Sequence, residues 1–196
     1  MIRNFELFCK LKIINISELE LFSNQIASFC PDLAVCPFCQ AKGALKKHGS
    51  YTRDLIHITN GTVMTEILTV PRYICACGHT HAILPACLIP HGSYSLFFIL
   101  TVLHTYFLRS NTVQDICDTF KIAPSTLYDW IRLFHTHKSL WLGTLSHLES
   151  SNIDFLTLLW DELHFLQRFF TRMAFSFLQG VSLASASHRS PPKSLP

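Results

Sequence analysis

Apolar residues recur along this chain with two different periods, and the changes of period divide it into segments. Over residues 3–16, Phe5, Leu7, Cys9, Leu11 and Ile13 alternate with other residues, the two-residue period of a strand. From Ser17 the spacing turns helical, with Leu19, Phe22, Ile26 and Phe29 on one face and Pro31 as a stop. Ser17-Glu-Leu-Glu20 has the form of a capping box, in which hydroxyl and carboxylate satisfy each other's free amides. The pattern predicts a helix that packs against the segment after it.

Strand-like runs return at Leu55-Ile-His-Ile-Thr59 and Thr62–Val70. Between them stands Asn60-Gly61, whose two residues tolerate the positive φ angles of a type I′ turn, so a β-hairpin is predicted. Ile83–Pro90 is bounded by prolines and reads as a linker. Ser95–Leu108 is apolar on most faces and predicts a central helix.

Two shorter helical patterns come next. In Thr112–Phe120, Val113, Ile116, Cys117 and Phe120 share a face; in Pro124–Phe134, Leu127, Trp130, Ile131 and Phe134 do. Lys121-Ile-Ala123 is too short for anything but a turn. Helix, tight turn and helix are the parts of a helix-turn-helix, whose second helix enters a DNA major groove. Lys121 sits where such turns favour glycine, and a left-handed lysine costs about 1 kcal/mol. The region Trp141–Gln179 reads as strongly apolar helix, and Ser182–Pro196, rich in serine and proline, reads as a disordered tail.

Composition supports a packed protein: 49 % of the 196 residues are hydrophobic and 15 % charged, which excludes wholesale disorder. The net charge of +3 is unevenly spread. Lys42, Lys46, Lys47, Arg53, Arg72 and Arg109 face only Asp54 and Glu66 over residues 36–109, a bias that suits an anionic partner. The most apolar run is too short to cross a bilayer, and the N-terminus lacks the basic-then-apolar pattern of a signal peptide. The sequence therefore predicts a soluble cytoplasmic protein that does not enter a membrane.

That compartment changes the meaning of the eight cysteines. In reducing conditions, closely spaced pairs are metal ligands rather than disulfides. Cys36-Pro-Phe-Cys39 and Cys75-Ala-Cys77 flank the hairpin, which brings their sulfurs together as a tetrahedral Zn²⁺ site requires. The second pair is C-x-C rather than the usual C-x2-C, so His79 stands as an alternative ligand to either cysteine. Cys9, Cys30 and Cys87 have no close partner and are expected to be small buried residues, as is Cys117.

The residues Cys36-Pro-Phe-Cys39, His48-Gly-Ser-Tyr-Thr-Arg53, Cys77–Pro85, Ser93-Tyr-Ser95 and Ser125–Ile131 carry a resemblance. They are similar to the zinc-ribbon and helix-turn-helix front end of bacterial insertion-sequence transposases, and in particular to an uncharacterised Firmicutes-type family of transposase-like proteins. The resemblance implies Zn²⁺ on Cys36, Cys39, Cys75 and Cys77, and recognition of double-stranded DNA by the second helix. Ser125, Thr126, Tyr128, Asp129 and Arg132 are the outward residues of that helix, and Lys46, Lys47 and Arg53 the expected phosphate contacts. Further expected partners are a second copy of the chain and a separate catalytic transposase chain.

The expected fold is α+β, a small zinc-ribbon β-hairpin module followed by an all-α helix-turn-helix bundle. Its divisions are an N-terminal extension (1–33), the zinc-ribbon module (34–90), the helix-turn-helix domain (91–140), apolar C-terminal helices (141–181) and the tail (182–196). Asp154, Asp161 and Glu162 lie close together on one helical pattern, with too little chain around them for a ribonuclease-H-like catalytic domain. The sequence thus predicts a DNA-binding protein without catalysis. A protein-interaction or regulatory module of a mobile element, and a catalytic transposase fragment, are the alternatives.

Overall fold

The hairpin forms where Asn60-Gly61 predicts it. In the computed structural model, which describes residues 2–4, 18–85, 88–142, 151–161, 163–173 and 175–180, Asn60 and Gly61 have φ angles of 51° and 75°. Thr59 pairs with Thr62 to close a two-residue loop. The strands it joins, β2 (Leu45–Thr59) and β3 (Thr62–Cys75), stay paired in antiparallel register from that tip back to Leu45 opposite Cys75, with one shift between Lys47 and Gly49.

The hairpin does not stand alone, and this overturns the expected zinc-ribbon hairpin followed by an all-helical bundle. A third strand, β4 (Thr80–Pro85), returns antiparallel along β3, pairing Arg72 with Ala82 and Ile74 with Thr80. Residues 45–85 therefore form a three-stranded antiparallel sheet, with helices both before and after it. The short strand β1 (Ile2–Asn4) adds to β4 in parallel, giving the order β1-β4-β3-β2.

The physical reason lies in residues 76–85. The turn after Cys75 is tight, with Gly78 N–H donating to Cys75 O and Cys75 N–H to His79 O. The chain is thus sent straight back beside β3, whose outer edge would otherwise expose unpaired amides. Ile83 and Leu84 are buried as a consequence. The expected linker 83–90 is accordingly strand up to Pro85.

Helix α1 (Glu18–Ala27) precedes the sheet and lays Leu21 and Phe22 on Leu55, Leu68, Val70 and Leu84, with Phe22 stacked on Phe97. It ends before Phe29, which instead meets the edge of Tyr73 on β3. Ser17 and most of the expected strand 3–16 lie outside the described residues. The Glu18 carboxyl is largely buried, close to the Ser95 hydroxyl and the backbone of Ile58.

Beyond the sheet come α2 (Leu96–Phe107), α3 (Val113–Phe120), α4 (Pro124–Leu142), α5 (Asn152–Asp161) and α6 (Leu163–Met173). Ser95 caps α2 by accepting from Phe98 N–H, and the helix is buried on nearly all faces, as its composition predicts. Around it gather Ile116, Phe120, Leu127, Trp130, Phe134, Phe155 and Phe169. Ile56, Ile58 and Val63, near the hairpin tip, pack against this same cluster. The helical core therefore sits at one end of the ribbon and Cys75 at the other, roughly 40 Å apart along the strand at 3.4 Å per residue.

Candidate metal centre and helix-turn-helix

The first cysteine pair is held by a loop rather than by a strand. Gln40 N–H donates to Cys36 O, Cys36 N–H to Ala41 O, and Gly43 N–H to Ala34 O. At Gly43 the φ of 68° and a Cβ position only 3.1 Å from Asp32 O favour glycine. The second pair sits at the end of β3 and in the turn to β4.

These pieces bring four sulfurs together. The Sγ atoms of Cys36, Cys39, Cys75 and Cys77 all lie within 4.8 Å of one another. Cys39 Sγ is 3.6 Å from Cys75 Sγ, and Cys36 Sγ is 3.8 Å from Cys77 Sγ. With metal–sulfur bonds of about 2.3 Å, a tetrahedral four-sulfur site has edges of about 3.8 Å, so the cage already has the required size. Cys36 and Cys75 are buried, whereas Cys39 and Cys77 are exposed.

The electrostatics of Cys36, Cys75 and Cys77 fit a cation. The Cys36 thiol is lowered to about 5, first by the Cys39 backbone N–H; that of Phe38, the Cys75 thiol and His81 help, and burial opposes them. Cys77 is also lowered, chiefly by the His79 backbone and ring. At Cys75 the Cys77 backbone pulls downward, yet burial and the neighbouring sulfurs push the thiol up to about 12. One sulfur ionises readily and its neighbour resists, because like charges cannot share so small a space without a counter-charge. A dication at the centre would supply it.

Two histidines border the cage. His79 Nδ1 lies 3.5 Å from Cys77 Sγ and His81 Nε2 lies 3.4 Å from Cys36 Sγ. His81 is buried, and cysteine spacing alone does not single it out. Its signal is the alternation along β4, where 81 and 83 face inward. Since all four sulfurs converge, neither histidine is needed to complete a four-ligand set. Cys30, expected to be buried, is exposed, and Cys117 is buried as expected; Cys9 and Cys87 lie outside the described residues.

Helices α3 and α4 are joined as the sequence predicts. Thr112 and Asp115 form a capping box at the start of α3. Lys121 takes the left-handed conformation (φ 54°, ψ 44°), and its N–H closes the helix on Cys117 O. Leu127, Trp130 and Phe134 are buried, and Trp130 meets Tyr94 and Phe98 edge-on at 5.0 and 6.1 Å. Ser125, Tyr128, Asp129 and Arg132 are exposed and Thr126 is half-buried. Arg132 Nη2 donates to Asp129 Oδ1 at 3.0 Å.

The flank of α4 that carries Thr126, Asp129 and Arg132 borders an open cleft of about 570 Å³, also lined by His91 and Tyr94. Lys46 and Lys47 are exposed on β2 near the cysteine cage. Arg53 is not similarly placed: it is half-buried, and its Nη2 donates to Ile89 O at 3.3 Å. Burial lowers the Arg53 pKa, with Tyr51 opposing. Asp154 is exposed in the first turn of α5, where the Ser151 hydroxyl accepts from its N–H and donates to its carboxylate, while the side chains of Asp161 and Glu162 lie outside the described residues.

The described residues thus hold a four-cysteine cage able to bind a metal ion, and no helix among them is long and apolar enough to cross a membrane. Residues 36–130 match a family model described as a domain of unknown function, DUF6431. The match opens on the first cage cysteine and closes on Trp130, taking in β2, β3, β4, α2, α3 and the start of α4. No curated protein and no solved structure is matched by the chain.

Proposed function

We propose that this is a zinc-containing DNA-binding protein, similar in role to the DNA-recognition front end of a transposase. The observation that carries the reading is the left-handed turn at Lys121, which leaves Ser125, Tyr128 and Arg132 exposed on the first turns of α4 while Leu127, Trp130 and Phe134 anchor it. A helix anchored on one face and polar on the other is what major-groove reading requires. Arg132 suits guanine or phosphate, and Tyr128 and Ser125 suit phosphate or base edges.

Zn²⁺ is the metal that four thiolates at this spacing fit best, and a closed set of four sulfurs gives it a structural role. Cys36, Cys39, Cys75 and Cys77 would hold it, tying the loop before β2 to the turn after β3. Four reduced thiols suit the cytoplasm. Lys46 and Lys47 add positive charge beside the cage, whereas Arg53 serves the sheet by its bond to Ile89.

Binding of genomic and random duplexes by the zinc-loaded chain, measured by fluorescence anisotropy, tests the reading. Arg132→Ala and Tyr128→Ala are each expected to cost about 1–3 kcal/mol on a preferred duplex. A stable protein complex untouched by both substitutions, with no DNA binding, would point instead to an interaction module.

A further inference from the structure

The exposed face of the cysteine cage carries an aromatic ring with no packing duty in the core. Phe38, inside the Cys36–Cys39 loop, is 67 % exposed. One face of its ring lies on the imidazole of His79, with centroids 3.6 Å apart and planes 15° from parallel. His81 lies further off at 6.4 Å. The loop that carries it is closed by Gln40 N–H to Cys36 O and Cys36 N–H to Ala41 O, and Gln40 Nε2 donates to Pro37 O. A large apolar ring is thus presented to solvent on a hydrogen-bonded loop, stacked on His79.

The surroundings are cationic. Lys42, Lys46, Lys47 and Arg72 are all exposed near the cage, and Arg72 is steadied by a bond to Thr80 Oγ1. No Asp or Glu occurs in residues 33–53 or 67–114. Four thiolates around a dication carry a formal charge of about −2, which these side chains outnumber. The rim therefore favours a polyanion, and the ring favours a flat partner.

We propose that Phe38, backed by His79, is a stacking platform for an unpaired base of DNA, with Lys42, Lys46, Lys47 and Arg72 holding the flanking phosphates. Stacking on an exposed ring beside a basic groove is how single strands are held without sequence preference. The platform is at the opposite end of the ribbon from the helical core, so it contacts an overhang or opened end and not the duplex stretch that α4 would read. It rests on the DNA-binding reading and adds the state of the DNA to it.

The test uses the full zinc-loaded chain with a blunt duplex and the same duplex bearing a 5′ or 3′ single-stranded overhang. Phe38→Ala is expected to weaken binding of at least one overhang probe by about 5- to 100-fold, and the blunt duplex by less than about twofold. Phe38→Trp should retain the preference, and Phe38→Leu should lose it as Ala does. Unchanged overhang binding in Phe38→Ala overturns the proposal. So does full retention in Phe38→Leu, which would mark a plain apolar contact such as a protein surface. The parent reading fails separately, through blunt-duplex binding that is absent or indifferent to Arg132→Ala and Tyr128→Ala; overhang binding lost in Phe38→Ala would then leave the platform standing alone.

Discussion

Cys39 Sγ and Cys75 Sγ lie 3.6 Å apart although 36 residues of chain separate them. The whole length of the hairpin is spent in bringing the second sulfur back to the first. Its register, from Thr59 opposite Thr62 to Leu45 opposite Cys75, is therefore what builds the cage. A metal in the cage would tie the loop before β2 to the turn after β3 in return, and folding and metal binding become one equilibrium.

Native mass spectrometry should accordingly show one Zn²⁺ on the purified chain and none on Cys36→Ser/Cys39→Ser. The double variant, or chelation of the parent, should lower stability by several kcal/mol, seen as a fall in thermal midpoint. Equal midpoints with and without metal would mean that the four cysteines are only packing.

Glu18 gives the pH prediction. Burial raises its carboxyl from 4.5 to about 7, against the lowering pull of the Ser95 hydroxyl and the Ile58 backbone. Its Oε2 has no hydrogen-bond partner among the described residues. A carboxyl with a raised folded-state pKa binds its proton more tightly folded than unfolded. Its contribution is complete below about 4.5 and is lost as pH rises through about 7. Glu18→Gln should therefore raise stability by about 1–3 kcal/mol at pH 8.5 and change little at pH 5, measured by denaturant titration at both.

His137 acts with the opposite sign. Its buried ring accepts a bond from Leu178 N–H at 2.8 Å, and burial lowers its pKa from 6.5 to about 4. Stability from the neutral ring is present above 6.5 and lost as pH falls toward 4. His137→Gln should flatten this acid-side loss in thermal midpoints recorded from pH 7 to pH 4.5.

Lys121 holds a left-handed backbone between α3 and α4. Lys121→Gly should stabilise the protein by about 0.5–1 kcal/mol, and Lys121→Val should destabilise it by more than that. Chemical denaturation of the three proteins reads the order directly.

Much of this arrangement is legible in residues that act locally. Asn60-Gly61 predicts the turn, and Pro124 with Leu127, Trp130 and Phe134 predicts α4. The cysteine spacing predicts the cage. What local pattern could not show is β4. Ile83 and Leu84 beside Pro85 look like a linker, because a six-residue strand bounded by proline has too few residues for a period to appear. Its pairing with β3 is a long-range consequence of the tight turn after Cys75, and with it went the expected fold of hairpin plus separate helical bundle. Burial of Arg53 is hidden for the same reason: its acceptor, Ile89 O, comes from distant chain.

Asp129 adds a test of how α4 meets an anion. Its carboxylate accepts from Arg132 at 3.0 Å and both side chains are exposed, so the pair contributes little to stability. Asp129→Ala should leave thermal stability within about 0.5 kcal/mol and increase non-specific DNA affinity a few-fold at low salt, by freeing Arg132 and removing a repulsive charge. Anisotropy titration against a random duplex measures it.

The central claim is that the zinc-loaded chain binds DNA through cationic contacts at α4 and near the cage. The most direct measurement is the binding constant for a duplex as a function of salt, from about 50 to 200 mM. Such contacts predict a linear fall of log K with log[salt], with a slope near −0.9 for each phosphate neutralised, and a shallower slope in Arg132→Ala. No binding, or a constant indifferent to salt, would contradict the claim.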